Sequence, residues 1–337
     1  IQTAGETDLT VTSYGLLRND FSLLNEIDWR IVALDEAQKI KNPETKTARK
    51  ARDLPSKVRA ALTGTPIENN LMELWSIMEF LNPGYLGPKR NFKNEYAKPI
   101  QQKRKGSRQK QKMLKKLVDP FILSRKKTDP EILSDLPDKI EKKEYCSLTA
   151  EQASLYQAVV DEAGNRLDQA EKDEGDMKKR GCILSTINRL KQICNHPAHF
   201  LSEEGFDPGR SGKTERLIDI CETVLEEGYS ALLFTQYVEF GQMIRDHLQE
   251  HFHYRVPFLH GGTTQKSRDE MIDGFQRQEE RLPFFLLSLR AGGLGVNLTE
   301  ASYVIHIDRW WNPAVESQAT DRAHRIGQDN NVTVHKF

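Results

Sequence analysis

Ile31-Val32-Ala33-Leu34-Asp35-Glu36-Ala37-Gln38 is the stretch from which the fold is read. Four consecutive apolar residues make a short strand buried on both faces, and the strand runs straight into two adjacent carboxylates. Such strands belong to parallel sheets, and open α/β sheets bind their ligands at the carboxyl ends of the strands. Further strand-length runs recur at 59–62, 231–234, 256–259, 284–287, 303–307 and 332–334. Between them lie amphipathic helical patterns. Phe240, Met243, Ile244, His247 and Leu248 share one face, and Met271, Ile272 and Phe275 share another. Strands alternating with such helices predict doubly wound α/β architecture.

Length and composition fit this. At 337 residues and 38.7 kDa the chain suits two domains. With 37% hydrophobic and 29% charged residues it is neither collagen-like nor wholly disordered. No apolar run approaches a membrane span and no signal peptide opens the chain, so no membrane partner and a cytoplasmic setting are expected. The four cysteines form no Cys-x-x-Cys pair, which points to reduced thiols rather than a zinc ribbon. The formal net charge is zero, yet residues 101–127 hold eleven Lys or Arg against the single acid Asp119. That block fits either a phosphate backbone or a solvated insertion.

From about 89 to 200 the sequence is rich in Lys, Gln and Glu, with helical periodicity and no convincing strand. The glycines of 205–212 read as a linker into a second α/β domain. The expected division is therefore 1–88 for a first lobe, 89–204 for helical insertions with the basic segment, and 205–337 for a second lobe.

Chemistry gathers at three places. Asp35, at a strand end, is placed to hold Mg²⁺, and Glu36 to orient or deprotonate a water, although the same pair alone fits a solvated loop. About 25 residues on, a second strand runs into Thr63-Gly64-Thr65-Pro66. Near the end, Arg322 and Arg325 are three apart, which on a helix puts both guanidinium groups on one face, within reach of one polyphosphate.

The ordered series resembles the Swi/Snf-type ATPases of helicase superfamily two. It comprises a tyrosine-bearing strand Thr12-Ser13-Tyr14, DEAQ (35–38) followed by Lys41-Asn42, TGTPIEN (63–69), ELWSIMEFLNP (73–83), PFIL (120–123) and LPDK (136–139). It continues with QICNHP (192–197), LLFTQY (232–237), LHGGT (259–263), SLRAGGLGVNL (288–298) and DRWWNPAVESQATDRAHRIGQ (308–328). DEAQ with the bare TGTPIENN segment looks like the bacterial branch.

The resemblance implies two RecA-like lobes, the first incomplete. It implies ATP hydrolysis with Mg²⁺ at Asp35, and Glu36, Gln318, Arg322 and Arg325 as further catalytic residues. Nucleotide-state coupling would fall on Gln38, Thr63, Gly64, Thr65, Gly293 and Gly295. Double-stranded DNA, held mainly by its phosphates, would meet Lys41, Asn42, Thr235, His260, Gly261, Ser288, Arg290, Trp310 and Asn312. The implied activity is translocation along duplex DNA that remodels or displaces bound proteins, in a nucleoid-associated setting. A non-hydrolysing nucleic-acid-binding or assembly scaffold is the alternative. A magnesium nuclease using Asp35 and Glu36 ranks last, for want of further carboxylates.

Three look-alikes are set aside. Gly212-Lys213-Thr214 lacks the first glycine of a phosphate loop, because residue 207 is Asp, and no strand precedes it. No other Gly-Lys pair occurs, so residues 1–337 contain no Walker A pattern and are expected to be inactive by themselves. Cys194, His196 and His199 suggest a metal but lack a fourth ligand, so a packed helix end is expected there and no zinc. Of Trp310 and Trp311, one is expected to pack in the core and the other to face the cleft or DNA. Ser124 stands where relatives often carry Arg.

Overall fold

In a computed structural model of the chain, residues 7–64, 70–124, 136–173, 176–289 and 296–337 are described, with side chains outside 167–178 and 180. The chain divides into two compact units, Ile1–Lys126 and Lys127–Phe337.

The first unit runs α1 (Tyr14–Asn19), α2 (Phe21–Asn25), β1 (Trp29–Leu34), α3 (Lys46–Asp53), β2 (Ser56–Ala61) and α4 (Leu71–Leu81). It continues with α5 (Lys89–Phe92), a π turn at Lys93–Ala97, α6 (Lys98–Gln101) and α7 (Ser107–Val118). β1 and β2 pair in parallel with Ile31 opposite Val58, so β1, α3 and β2 make one crossover unit. Leu17, Leu24, Leu34, Ile40, Ala48, Ala51 and Phe80 form its core. A second cluster, built on Trp75, Met78, Phe92, Leu114 and Val118, packs α7 against α4 and α5. Arg59 sits within β2 because its guanidinium is fully used. It donates to Phe80 O at 2.9 Å, Arg52 O at 2.9 Å and Leu54 O at 2.8 Å, satisfying carbonyls near the ends of α3 and α4.

Thr12-Ser13-Tyr14 is not a strand, contrary to the sequence expectation. Ser13 caps α1, its hydroxyl accepting from Leu16 N at 3.2 Å, and Tyr14 is the first helical residue. A serine in extended backbone conformation is a good N-cap, and that local bond prevails here.

The second unit begins with β3 (Lys139–Lys143), then the helical hairpin α8 (Ala150–Asp173) and α9 (Asp176–Asn195), α10 (Pro197–Leu201) and α11 (Gly212–Glu226). There follow β4 (Ala231–Thr235), α12 (Val238–Phe252), β5 (Phe258–Leu259), α13 (Gln265–Arg277), β6 (Phe284–Ser288), β7 (Tyr303–His306), α14 (Pro313–Thr320) and β8 (Val332–Lys336). The sheet order is β3-β8-β7-β4-β6-β5, every pairing parallel. Two apolar cores lie on its faces. One is centred on Phe234, Phe275, Phe285 and Val334, the other on Leu217, Phe240, Ile244, Phe284 and Ile305. A Cβ on Gly241 would stand 2.5 Å from the Phe258 ring, so α12 approaches β5 only through a glycine.

β3 lies within the stretch expected to hold no strand. All five of its residues are exposed, and it joins the sheet through backbone pairing with β8, Lys139 opposite Val332. A charged edge strand carries no apolar run and resists pairing with other chains. Among the described residues no helix is long and apolar enough to cross a membrane.

Candidate functional site

In the first unit the chain leaves β1 and turns at once. Asp35 is exposed, and its Oδ1 accepts from Glu36 N at 2.9 Å. Glu36 adopts a left-handed conformation (φ 49°, ψ 51°), uncommon for a residue with a side chain, before a 3₁₀ turn over Ala37–Ile40. Gln38 links the two motifs. Its amide Nε2 donates to Glu36 Oε2, and its Oε1 accepts from the Thr63 hydroxyl at 2.8 Å. Tyr14 closes the turn from the other side, its hydroxyl donating to Asp35 O at 2.7 Å. Burial, with the charges of Asp35 and Glu36, pushes that phenol up to about 12. The sequence assigns Tyr14 no role, because a separation of 21 residues from Asp35 carries no sign of the bond.

The arrangement fits Mg²⁺. One exposed carboxylate, that of Asp35, stands at a strand end. Magnesium commonly takes one or two carboxylates and completes its shell with phosphate oxygens and water. Lys41 is half-buried and closes the 3₁₀ turn, its N–H donating to Gln38 O. Asn42 is exposed, and its Oδ1 accepts from Glu44 N at 3.0 Å. Gly64 is exposed beside Thr63.

In the second unit the residues at 235, 260, 261, 288, 310 and 312 converge on the carboxyl edge of one sheet. Thr235 ends β4 in register with Ser288 of β6, and Leu259 of β5, in register with Leu287, is followed by His260 and Gly261. His260 Nδ1 accepts from Gly262 N at 3.2 Å, and Thr263 Oγ1 accepts from His260 N at 3.1 Å. Gly261 is open to solvent, whereas Thr235 and Ser288 are buried. The Thr235 hydroxyl is engaged inward by Asp308, and Gln236 N also donates to that carboxylate at 3.0 Å. Burial raises the Asp308 pKa, and the Thr235 hydroxyl and the Lys213 charge oppose the rise. The sequence gives Asp308 no role of its own, since nothing in DRWW shows that this acid is buried.

The loop after β7 is organised by Glu316. Arg309 grips it with Nε to Oε1 at 2.9 Å and Nη2 to Oε2 at 2.9 Å, and Trp310 N adds a bond at 2.8 Å. Asn312 caps α14, accepting from Ala314 N at 3.0 Å. Trp310 packs on the core, as one of the pair is expected to, while Trp311 is 63% exposed. Lys191 of α9 holds this loop, with Nζ donating to Arg309 O at 2.6 Å and lying 5.1 Å from the Trp311 ring.

Arg322 and Arg325 do not share a helical face. α14 ends at Thr320 with Gln318 half-buried in its last turn, and the chain then passes through turns. Arg322 is buried, with Nη1 3.5 Å from Val296 O, and its own carbonyl accepts from Leu298 N at 3.0 Å. Arg325 is exposed. The i, i+3 argument fails because the helix terminates at Thr320, before either arginine. His324, donating to Pro137 O at 2.8 Å, and Gln328, donating to Thr299 O and Ala301 O, anchor these turns to the fold. Thr65, Arg290, Gly293 and Gly295 lie outside the described residues.

The look-alikes resolve into packing. Lys213 donates to Asn195 Oδ1 at 2.8 Å, and burial holds its ammonium below the ordinary lysine range. His196 caps α10 by accepting from Ala198 N, and its Nε2 donates to Asp207 O at 2.8 Å. His199 stacks on Phe240 and meets Tyr237 edge-on.

Comparison with known proteins follows the same outline. Residues 2–199 match the SNF2-related domain, and residues 212–327 match the helicase conserved C-terminal domain. The chain is 46% identical over 332 residues to YwqA of Bacillus subtilis, covering 98% of this chain and 35% of that protein. It is 31% identical over 381 residues to the TATA-binding protein-associated factor MOT1 of Saccharomyces cerevisiae, covering 98% of this chain and 20% of that one. Among solved structures it is similar to the Sulfolobus solfataricus SWI2/SNF2 ATPase core in complex with dsDNA. There the identity is 46% and the TM-score 0.53, over 98% of this chain and 68% of that chain. The chain thus spans about a third or less of the length of these two curated relatives.

Proposed function

This chain belongs to the SNF2-related family, and from that premise we propose that it is the motor region of an ATP-dependent translocase on double-stranded DNA that remodels or displaces DNA-bound proteins. The observation that carries the reading is the bridge made by Gln38 between the Glu36 carboxylate and the Thr63 hydroxyl. It ties the acid that would activate water to the turn after the neighbouring strand, so a shift of one moves the other. Asp35 would hold Mg²⁺, which supplies charge neutralisation at the phosphates when bound with ATP. Glu36 would orient and deprotonate the attacking water. Arg322, Arg325 and Gln318 would stabilise charge on the transferring phosphoryl group. DNA phosphates would be met at Lys41 and Asn42 in the first unit, and along the strand ends that carry His260, Gly261, Trp310 and Asn312 in the second.

The similar Sulfolobus core bound to dsDNA supports the duplex as ligand. The test is phosphate release with and without duplex, in a polypeptide that carries these residues together with a Gly-x-Gly-Lys-Thr loop. Duplex should stimulate turnover, and Glu36→Gln should bind ATP without hydrolysing it. Turnover indifferent to duplex, or unchanged in Glu36→Gln, would refute the motor reading. Duplex binding with no turnover in that polypeptide would favour the scaffold.

A further inference from the structure

The basic block noted in the sequence takes a definite shape in the structure. Between Lys89 and Phe121 there are twelve Lys or Arg and two acids, Glu95 and Asp119, in a chain whose net charge is zero. The block folds as α5, α6 and α7, and α7 sorts its residues by face. Leu114 and Val118 are buried against Trp75, Met78 and Phe92, and Lys110 reaches back to donate to Glu95 O at 2.7 Å. At 100° per residue, Arg108, Lys112, Lys115 and Lys116 fall on the opposite side, with Lys105 just before the helix in line with them. All five are exposed. From Arg108 to Lys116 the stripe runs about 12 Å along the helix axis.

Two readings compete, a solvated face and a binding face, and the crowding of one sign of charge on one helix face favours the second. Some exposed cations elsewhere sit against acids, among them Arg49 on Glu44, Arg166 on Glu162, Arg255 on Glu280, Lys266 on Glu270 and Arg277 on Glu279. Others, such as Arg18, Arg30 and Lys57, are exposed singly. The five cations of the stripe make no ion pair among the described residues. The two acids of the block do not lie on it, for Glu95 is engaged with Tyr96 in the π turn and Asp119 begins the turn after α7. Self-repulsion in such a stripe costs stability unless an anion relieves it. A solvated face would be expected to carry the mixed signs seen elsewhere on this chain.

We propose that the outward face of α7, with Lys105, is a second duplex-DNA contact, a phosphate-backbone clamp on elements apart from the motif residues Lys41 and Asn42. It rests on the duplex reading given above. The stripe offers point charges and no side chain suited to reading base edges, so it adds affinity and salt sensitivity without sequence preference. The helix is already anchored by Leu114 and Val118, so binding would order side chains and not the backbone.

The test compares duplex affinity across salt for three forms of the chain. These are the unaltered protein, a variant with Lys105→Gln, Arg108→Gln, Lys112→Gln, Lys115→Gln and Lys116→Gln, and a control with the five acid-paired cations Arg49, Arg166, Arg255, Lys266 and Arg277 changed to Gln. Because every altered side chain is exposed, melting temperature verifies that all three fold. The stripe variant should bind at least about tenfold more weakly at low salt, and its log K against log salt slope should flatten by about 0.9 for each phosphate it no longer neutralises. The control should weaken much less. Equal weakening in both variants, or an unchanged slope in the stripe variant while the unaltered chain binds, overturns the clamp alone. No duplex binding by the unaltered chain overturns the clamp and the duplex reading together.

Discussion

The Thr235 hydroxyl donates to Asp308 Oδ2 at 2.5 Å, joining the ends of the adjacent strands β4 and β7. Both residues are buried, so the bond locks the sheet's carboxyl edge from inside, and a role for position 235 in DNA binding would act through edge geometry. Thr235→Val keeps the shape and removes the donor from a buried carboxylate. It should destabilise the second unit by about 1–3 kcal/mol, read as a lower urea midpoint, with Thr235→Ser close to the unaltered protein. A normal midpoint in Thr235→Val with weakened duplex binding would instead make the hydroxyl a direct DNA contact.

Gly212 marks a close approach of two backbones, since a Cβ there would lie 2.4 Å from Ser147 O. Gly212→Ala should therefore lower thermal stability, at a cost of about 1–3 kcal/mol by overpacking. Neither Gly212→Ala nor Lys213→Ala should alter nucleotide affinity beyond what unfolding explains, because Lys213 is engaged by Asn195. A normal melt with lost ATP binding in Lys213→Ala would restore the phosphate-loop reading.

Acid should weaken the second unit through two buried imidazoles. Burial, aided by the charges of His196 and Lys213, pushes His199 down to about 4, and burial does the same to His306. An unfolded histidine titrates near ~6.5. Below that pH the unfolded chain binds protons that the folded chain refuses, so stability is full above ~6.5 and falls as pH drops toward about 4. Each group contributes a slope of up to about 1.4 kcal/mol per pH unit. His199→Phe, placed among Phe240 and Tyr237, should remove part of that dependence. Urea midpoints at pH 7.5, 6.5 and 5.5 measure it; a flat profile in the unaltered protein would contradict the burial argument.

What the sequence made legible follows from burial. The apolar runs of β4 and β6, and nearly that of β7, are legible because these strands are buried along their length. β1 and β2 also fall on expected runs, but neither is buried on both faces, since Ile31 of β1 is 57% and Val58 of β2 53% exposed. β5 shrank to Phe258–Leu259 because Pro257 cannot donate to the ladder, although its carbonyl accepts from Leu286 N at 2.9 Å. β3 was invisible because an edge strand of Lys, Ile and Glu is specified by its partner's backbone and not by its own side chains. The pairing of Gln38 with Thr63, and the inward use of Thr235, depend on contacts 25 and 73 residues apart in the chain. Motif spacing placed these residues near one another but could not say which atoms meet.

Arg322 and Arg325 should separate under mutation, because the structure gives them different surroundings. Arg322 is buried beside Val296, and its backbone holds Leu298, whereas Arg325 is exposed in the following turn. In a polypeptide competent for hydrolysis, an arginine that stabilises the transferring phosphoryl group is worth on the order of 10³ to 10⁵ in rate. Arg325→Ala should therefore collapse turnover with a normal melt. Arg325→Lys should recover little, because an ammonium cannot make the bidentate fork. Arg322→Ala should lower both turnover and melting temperature, since it also empties a buried position. The packing-only alternative predicts that specific activity, corrected for folded fraction, stays near normal in both. Rate and melt measured on the same preparations decide the matter: Arg325→Ala with near-normal specific activity removes that residue from the chemistry, and Arg322→Ala with lost stability but preserved corrected rate makes it a packing residue only.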